Sequence, residues 1–396
     1  MKTNVSIVRC ADYEYANIEK AIRKSIELLG KDVFPRKKRV LLKPNLISST
    51  KGPDKPVNTH PVFVEIVASV LQNEFHNKVF IGDSSGGMSY GKTLQSYQNS
   101  GLVDVERITG AELLNFESAG IVTLRNEKNK IKKEFNVTKF FNEVDFIISL
   151  PKLKSHSLVG YTGAVKNMMG LVPGAGKREM HFIAPKVTDM LKCIVDLYSL
   201  VRPNLSIMDA VIGMDGEGPA AGNPKNIGLV LASSDAVALD AVALEIAGYN
   251  PGKTEFIVDA EARGLGVGSL ENIEVRGESI NDVRIKDFEI PSSMVKNLFI
   301  NCMPSWVFKI GFSAMTSGVP VIQKSICKRC NVCYDSCPVN AIEKKNGYLK
   351  VKHAQCIECY CCHELCPYDA IKIRLPLTAR LVRVAMSVLK KVLKRK

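Results

Sequence analysis

The sequence predicts a large α/β domain built on a mostly parallel sheet, followed by a small α+β domain organised by cysteines. Three observations carry this. Through roughly the first 290 residues, short apolar segments alternate with segments of helical apolar spacing, as in a parallel sheet with covering helices. One of those segments, 145–150, is almost wholly apolar, as a strand buried on both faces must be. Nine of the twelve cysteines fall between residues 327 and 366.

The elements follow in order. Residues 4–8 and 39–43 read as strands, and between them 13–29 is a helix with Ile18, Ala21, Ile22, Ile26, Leu28 and Leu29 at broadly helical spacing. A second helix runs over 61–71, with Pro61 in its first turn and Thr59 or His60 near the cap. A strand at 78–81 leads into the loop Gly82-Asp83-Ser84-Ser85-Gly86-Gly87. Beyond the apolar strand at 145–150, residues 187–201 are helical, 205–212 and 227–231 are strands, and 234–247 is a helix. The α/β domain is expected to occupy 1–290 and a connecting segment of different composition 291–320, including Trp306, the only tryptophan. The connecting segment reads either as a helix that docks the next module or as an interfacial segment, docking being the plainer reading.

Residues 321–375 contain Cys327, Cys330, Cys333 and Cys337 before Pro338, and the same run again as Cys356, Cys359, Cys362 and Cys366 before Pro367. The repeat extends past the prolines, where Asn340-Ala341-Ile342 is answered by Asp369-Ala370-Ile371. A doubled C-x2-C-x2-C-x3-C-P run is the ligand pattern of two 4Fe-4S clusters. Zinc ribbons need neither a third cysteine nor a trailing proline, and disulfides would call for a secretory signal, which the N-terminus does not show. The segment resembles bacterial-type 8Fe ferredoxins over about fifty residues, which implies a small ferredoxin-type (α+β) iron–sulfur domain. In that arrangement each run's fourth cysteine serves the other cluster. Cys327, Cys330, Cys333 and Cys366 then form one set, and Cys356, Cys359, Cys362 and Cys337 the other. Cys361 is surplus and reads as a small buried side chain.

The formal charge of +14 is not spread over a face. Residues 374–396 carry eight Lys or Arg and no acid, leaving only +6 elsewhere, and aromatic interleaving is absent, so nucleic-acid binding is not expected. The tail 376–396 reads as an amphipathic helix with Leu377, Leu381, Ala385, Val388 and Val392 on one face and Arg380, Arg383, Ser387, Lys390 and Lys394 on the other. It suits an anionic membrane surface or packing on its own protein equally. No apolar run reaches the roughly 18 residues of a spanning helix. The expected location is the cytoplasm, with peripheral contact at the inner face of the membrane as the variant.

Polar residues of the α/β domain gather where its strands end, the place where open α/β sheets hold ligands. They are Lys43-Pro44-Asn45, the 82–87 loop, Pro151-Lys152-Leu153-Lys154-Ser155-His156, Lys166-Asn167 and Asp209. Lysines and backbone N–H groups of a Gly/Ser loop suit a carboxylate or phosphate. Lys43, Asn45, Lys152, Lys154, Lys166 and Asn167 are therefore the substrate-binding candidates, and His156 and Asp83 the proton-transfer candidates, with His60 and Asp209 as further acid–base or metal candidates. Each has a plainer role open to it: a cap for Asp83, a turn for Asp209, a structural ring for either histidine. Nucleotide motifs fail. Gly174-Ala175-Gly176-Lys177 lacks the earlier glycine and the following Ser or Thr of a P-loop, and Gly264-Leu265-Gly266-Val267-Gly268 has the wrong spacing for a dinucleotide fingerprint.

Lys43-Pro44-Asn45-Leu46, Asn58-Thr59-His60-Pro61, Gly82-Asp83-Ser84, Pro151 to His156 and Gly163-Ala164-Val165-Lys166-Asn167 together resemble domain-of-unknown-function family 362 over nearly the whole length. The resemblance implies a cytoplasmic iron–sulfur protein, most often of anaerobes, and supplies no reaction. The expected function is an iron–sulfur oxidoreductase. It would take electrons from a redox partner protein and pass them to a small anionic substrate or a cofactor in the α/β cleft. The rival is a non-enzymatic carrier or adaptor docking to a redox complex, at the membrane surface in one variant.

Overall fold

Val40, Leu41 and Leu42 show how the sheet forms. Successive side chains of a strand point to opposite faces, and here all three are fully buried, Leu41 in one apolar core and Val40 and Leu42 in another. A strand buried on both faces belongs in a sheet covered by helices on both sides. The computed structural model describes the chain except residues 1, 86–92, 117, 174–175, 185, 292–318, 336, 338, 346, 357–360, 365 and 375–396. The tail helix expected at 376–396 and nearly all of the expected connecting segment lie outside the described residues.

The strands are β1 (Thr3–Arg9), β2 (Arg39–Pro44), β3 (Lys78–Gly82), β4 (Glu112–Leu114), β5 (Ile121–Arg125), β6 (Glu134–Thr138), β7 (Phe146–Leu150), β8 (Lys152–His156), β9 (Gly160–Thr162), β10 (Leu205–Asp215), β11 (Asn223–Ser233) and β12 (Ile273–Gly277). The helices between them are α1 (Tyr15–Leu29), α2 (Pro61–Asn73), α3 (Thr93–Asn99), α4 (Leu102–Thr109), α5 (Ala164–Asn167), α6 (Gly176–Ile183), α7 (Val187–Tyr198), α8 (Ala236–Ile246), α9 (Glu255–Ala262) and α10 (Ile280–Val283). The main sheet runs β12-β1-β11-β10-β7-β2-β3-β4, with β8 beside β10 and β9 beside β8; β5 and β6 form a separate hairpin. Along the main path only β11 is antiparallel to its neighbours. The C-terminal ends of β1, β2, β3, β7 and β10 therefore share one edge, as the parallel reading requires.

The strand order reverses at β2. From β2 the chain moves outward to β3 and β4, with α2 and α4 packed in the core that also holds α1. It then returns to the other side of β2 as β7, and the helices that follow, α5 and α7, pack in the opposite core. The gap between the β2 and β7 ends is thus the switch point, where neighbouring connections diverge and leave a crevice.

Residues 152–156, expected as a loop, are a strand. Pro151 lacks an N–H and ends β7, but its carbonyl accepts from the Asp209 N–H at 2.9 Å, so the chain stays beside β10 and resumes as β8. Sequence patterning missed it because Lys152, Lys154, Ser155 and His156 are polar and yet all buried.

C-terminal to the sheet, β13 (Val319–Ile322) pairs with β16 (Ile371–Arg374), and β14 (Ile342–Lys345) with β15 (Tyr348–Val351). Two single-turn helices, α11 (Val332–Asp335) and α12 (Cys361–Glu364), each sit within one cysteine run. The sequence repeat becomes a structural one. Asn340 and Asp369 both adopt left-handed backbone, φ 52° in each. The next N–H then donates back to the run's fourth cysteine, Ala341 to Cys337 Sγ at 3.1 Å and Ala370 to Cys366 Sγ at 3.2 Å. Asn and Asp tolerate this conformation better than other residues with a Cβ.

Asp240, fully buried on α8, holds the short helix α5 in place by accepting from the Ala164 and Val165 N–H groups (2.7 and 2.9 Å) and the Tyr161 hydroxyl (3.2 Å). Burial outweighs these donors and raises its carboxyl from 3.8 to about 7. Between those values the native protein keeps a proton that the unfolded chain has released, so this group makes stability fall as pH rises through the window. Urea unfolding of the native chain minus that of Asp240→Asn, compared from pH about 4 to about 7, is expected to show that slope, and a flat difference would refute it.

Candidate functional site

At the switch point β2 delivers Lys43, and β3 ends immediately before Asp83. The Lys43 Nζ donates to Asp83 Oδ2 at 3.0 Å, to the Pro44 carbonyl at 3.0 Å and to Asn167 Oδ1 at 3.3 Å. All three of its donors are used, which a fully buried ammonium requires. Asn167, carried by α5, donates in turn to the Lys43 carbonyl (3.0 Å) and the Ser149 hydroxyl (2.9 Å), and accepts from Asn45 Nδ2 at 3.2 Å. Asp83 Oδ2 also accepts from the Leu46 N–H at 2.9 Å. Burial pushes the Asp83 carboxyl up and the Lys43 ammonium down, each opposed by the charge of the other.

Above this pair lies a cleft enclosing about 770 Å³ including its mouth. Asn45, Asp83, His156, Lys166 and Asn167 line it, as do Lys177 and His181 from α6. Leu158, Val159, Met169, Met190 and Ile194 supply an apolar wall. Two buried acceptors of the lining, Asp83 Oδ1 and Asn45 Oδ1, have no hydrogen-bond partner among the described residues. Lys177 Nζ donates to the Ser84 and Ser85 carbonyls, the latter at 3.3 Å, which fixes its charge beside Asp83.

His156 Nδ1 accepts from the Leu158 N–H at 3.1 Å and the Val159 N–H at 3.4 Å, which assigns the ring proton to Nε2. Burial first, then Lys166, His181 and Lys154, holds the ring well below its ordinary value, so it is a neutral donor at pH 7. Burial and Lys166 likewise bring His181 down to about 4.

Of the residues expected at the site, Asn45, Asp83, His156, Lys166 and Asn167 come together in the lining, and Lys43 lies directly beneath. Lys152 and Lys154 do not line the cleft. Lys152 is fully buried against Asp209 (2.8 Å) and the Tyr13 hydroxyl, and Lys154 donates to the Val57 carbonyl. His60 stacks on Tyr13 with ring centroids 3.7 Å apart, and its backbone N–H donates to Asp209 Oδ2 at 3.1 Å, also away from the cleft. Gly86 and Gly87 of the expected anion loop lie outside the described residues. Lys177 and His181 were not singled out. The glycine-rich sequence before Lys177 was a usable signal, set aside because it failed as a P-loop.

In the C-terminal module, Cys327, Cys330, Cys333 and Cys366 line one cavity enclosing about 300 Å³ including its mouth, with Ile322, Val332, Leu349, Ala370 and Ile371. Three thiols of one run and one of the other thus meet in an apolar shell, a donor set that fits a 4Fe-4S group. Backbone donors on sulfur, as at Cys366 and from the Arg329 N–H to Cys327 Sγ at 3.4 Å, suit thiolates. Cys337, Cys356 and Cys362 are described; Cys359 and the side chain of Cys361 lie outside the described residues. Among the described residues no three His, Cys, Asp or Glu side chains converge as a site for a single metal ion.

The module touches the cleft domain. Lys51 pairs with Asp369 at 2.7 Å, and the buried His363, beside Cys362, lies close enough to His156 to act on its charge.

Comparison with known proteins gives two domain matches: a domain of unknown function, DUF362, over residues 40–245, and a 4Fe-4S dicluster domain over 319–367. A thylakoid-associated protein of Synechocystis sp. is 31% identical over 274 residues, covering 68% of this chain and 83% of that protein. Among solved structures, the lactate racemase apoprotein of Thermoanaerobacterium thermosaccharolyticum aligns at 12% identity and TM-score 0.37, over 62% of this chain and 57% of its own. A protein of Thermotoga maritima aligns at 14% identity and TM-score 0.34, over 52% of each chain. This chain thus spans little more than half of either solved structure. No helix of the described residues is long and apolar enough to cross a membrane.

A Cβ on Gly170 would lie 1.8 Å from Asp83 Oδ1 and 2.3 Å from Lys43 Nζ, so this glycine is what lets the backbone close over the pair. Gly170→Ala is expected to cost about 3–5 kcal/mol, as for a broken buried ion pair, read as a lowered urea midpoint; a loss below about 1 kcal/mol would mean the pair can move aside.

Proposed function

The chain belongs to the DUF362 family and carries a 4Fe-4S dicluster domain, and on that premise we propose that it passes single electrons to a small anionic ligand held in the α/β cleft. The observation that carries this reading is the ion pair that ties Asp369, in the module's second half, to Lys51 of the domain whose cleft is lined by Lys166 and Lys177. Two clusters would be held as the crossed sets of thiols, Cys327, Cys330, Cys333 and Cys366 for one, and Cys356, Cys359, Cys362 and Cys337 for the other. When bound, such groups each supply one electron at a time.

The rest is done by side chains. Lys166 and Lys177, with the neutral His181, attract and seat the anion, and the apolar wall excludes water and strengthens their field. The Asp83 and Asn45 oxygens that lack partners accept from an N–H or O–H of the ligand. His156 Nε2–H donates toward negative charge that develops on reduction, and Asp83, with its carboxyl raised by burial, is the second group able to move a proton. Lys43, Lys152 and Lys154 act from beneath and beside the cleft as fixed structural charges. The reaction class is reduction of a bound anion, which makes the chain an iron–sulfur oxidoreductase.

His156→Ala is expected to lower reduction of a cleft ligand by about 10²–10⁴-fold with iron and acid-labile sulfide unchanged at about eight each. Inorganic phosphate and short carboxylates are expected to raise the melting temperature of the native chain and not that of Lys166→Ala/Lys177→Ala. Unchanged turnover, or no anion shift in the native chain, would sink the assignment.

A second reading is an adaptor for a redox complex at a membrane surface, favoured by the thylakoid association of the Synechocystis relative and by the basic tail. The full chain would then float with anionic vesicles and a chain ending at residue 374 would not, each lost Lys or Arg weakening binding by about 1 kcal/mol. Equal flotation of both would remove the tail from this role.

A further inference from the structure

The iron–sulfur module has two unlike ends. Its second half faces the cleft domain through Asp369 and His363. Its first half faces solvent: Cys330, which lines the first cavity, is itself exposed, as are Lys324, Lys328 and Arg329 around it. Residues 319–356 hold seven Lys or Arg against Asp335 and Glu343, and Glu343 is already met by Lys352 at 3.6 Å. The cations are also held in place. Lys324 Nζ and Arg329 Cζ each lie 4.6 Å from the centre of the Tyr348 ring, and Lys344 Nζ lies 4.7 Å from that of Tyr334. Exposed apolar groups accompany these cations: Ile326 at 39%, Tyr334 at 39% beneath Lys344, and Tyr368 at 45%, which lines the same cavity as Cys330 and Lys328. An apolar centre bordered by fixed charge of one sign is the composition of a transient, electrostatically steered docking surface.

We propose that the face around Cys330 docks a small acidic one-electron carrier protein and is where electrons enter the chain. Each encounter oxidises the carrier by one electron and reduces the module by one, with no proton or atom transferred. Fixed cations beside an exposed thiol of the cavity serve this in two ways: they raise the encounter rate with an acidic partner, and they bring the two redox groups close. The inference rests on the electron-transfer reading and is independent of which anion the cleft takes.

The test uses the holoprotein and a purified acidic ferredoxin as the probe. Calorimetry is expected to give a dissociation constant that rises at least about tenfold between about 0.05 and 0.5 M salt. It should rise by a similar factor at low salt in Lys324→Glu/Lys328→Glu/Arg329→Glu. A second variant, Lys344→Glu/Lys345→Glu/Lys350→Glu, leaves the cysteine run untouched and should weaken binding in the same direction. Iron content and bleaching by dithionite remain as in the native chain in both. Salt-independent binding, or native affinity in both variants, overturns the proposal, as does binding of this face to anionic phosphatidylglycerol vesicles in place of the carrier. Carrier-driven bleaching of the iron–sulfur absorbance is read without any cleft ligand. A native response in His156→Ala therefore separates failure at the cleft from failure of docking.

Discussion

The buried pair of Lys43 and Asp83 is the constraint on which the α/β half depends. Neither charge is stable alone in a dry interior, and the attraction between them offsets desolvation only when the remaining donors and acceptors are met. The ammonium meets this with three acceptors, each from a different element: the strand's own carbonyl, the carboxylate after the neighbouring strand and an amide from a helix on the opposite face of the sheet. The pair therefore fixes where three connections converge. The other Asp83 oxygen, Oδ1, has no hydrogen-bond partner among the described residues, so the same carboxylate is structural on one side and unsatisfied on the other.

The C-terminal module solves a different problem. It is too small to be held by its apolar core alone, and that core is partly made of the cysteines themselves. Its stability is consequently tied to the group its thiols bind, whereas the sheet domain has two ample cores. Among the described residues, the ion pair of Lys51 with Asp369 joins the second half of the module to the sheet domain.

The fold class was legible in the sequence because central strands such as β2, β3 and β7 are largely apolar runs and helices such as α1 and α7 carry a clear apolar face, whereas the polar β8 and the half-exposed hairpin β5–β6 gave no such signal. The cysteine runs were legible because thiolate spacing is dictated by the group they hold. The site was legible in part. Strand ends located Asn45, Asp83, His156 and Asn167, since topology places those ends on one edge. The lysines were ambiguous because residue type does not say whether a cation is buried against a partner or turned to a ligand: Lys152 and Lys154 look like Lys166 in sequence and differ only in what packs over them. Lys177 and His181 come from a helix that no short loop ties to a strand end, and no periodicity points to where its first turn lands.

That the first cavity takes its fourth thiol from the second run has a consequence for how the protein is made. A ribosome that has released residues up to 352 has presented Cys327, Cys330 and Cys333 but not Cys366, and so no finished cavity. A stop inserted in the second run before Cys366 leaves the first cavity with three of its four thiols. The first cavity is thus completed only after the whole sheet domain has been synthesised, whatever group its thiols go on to hold.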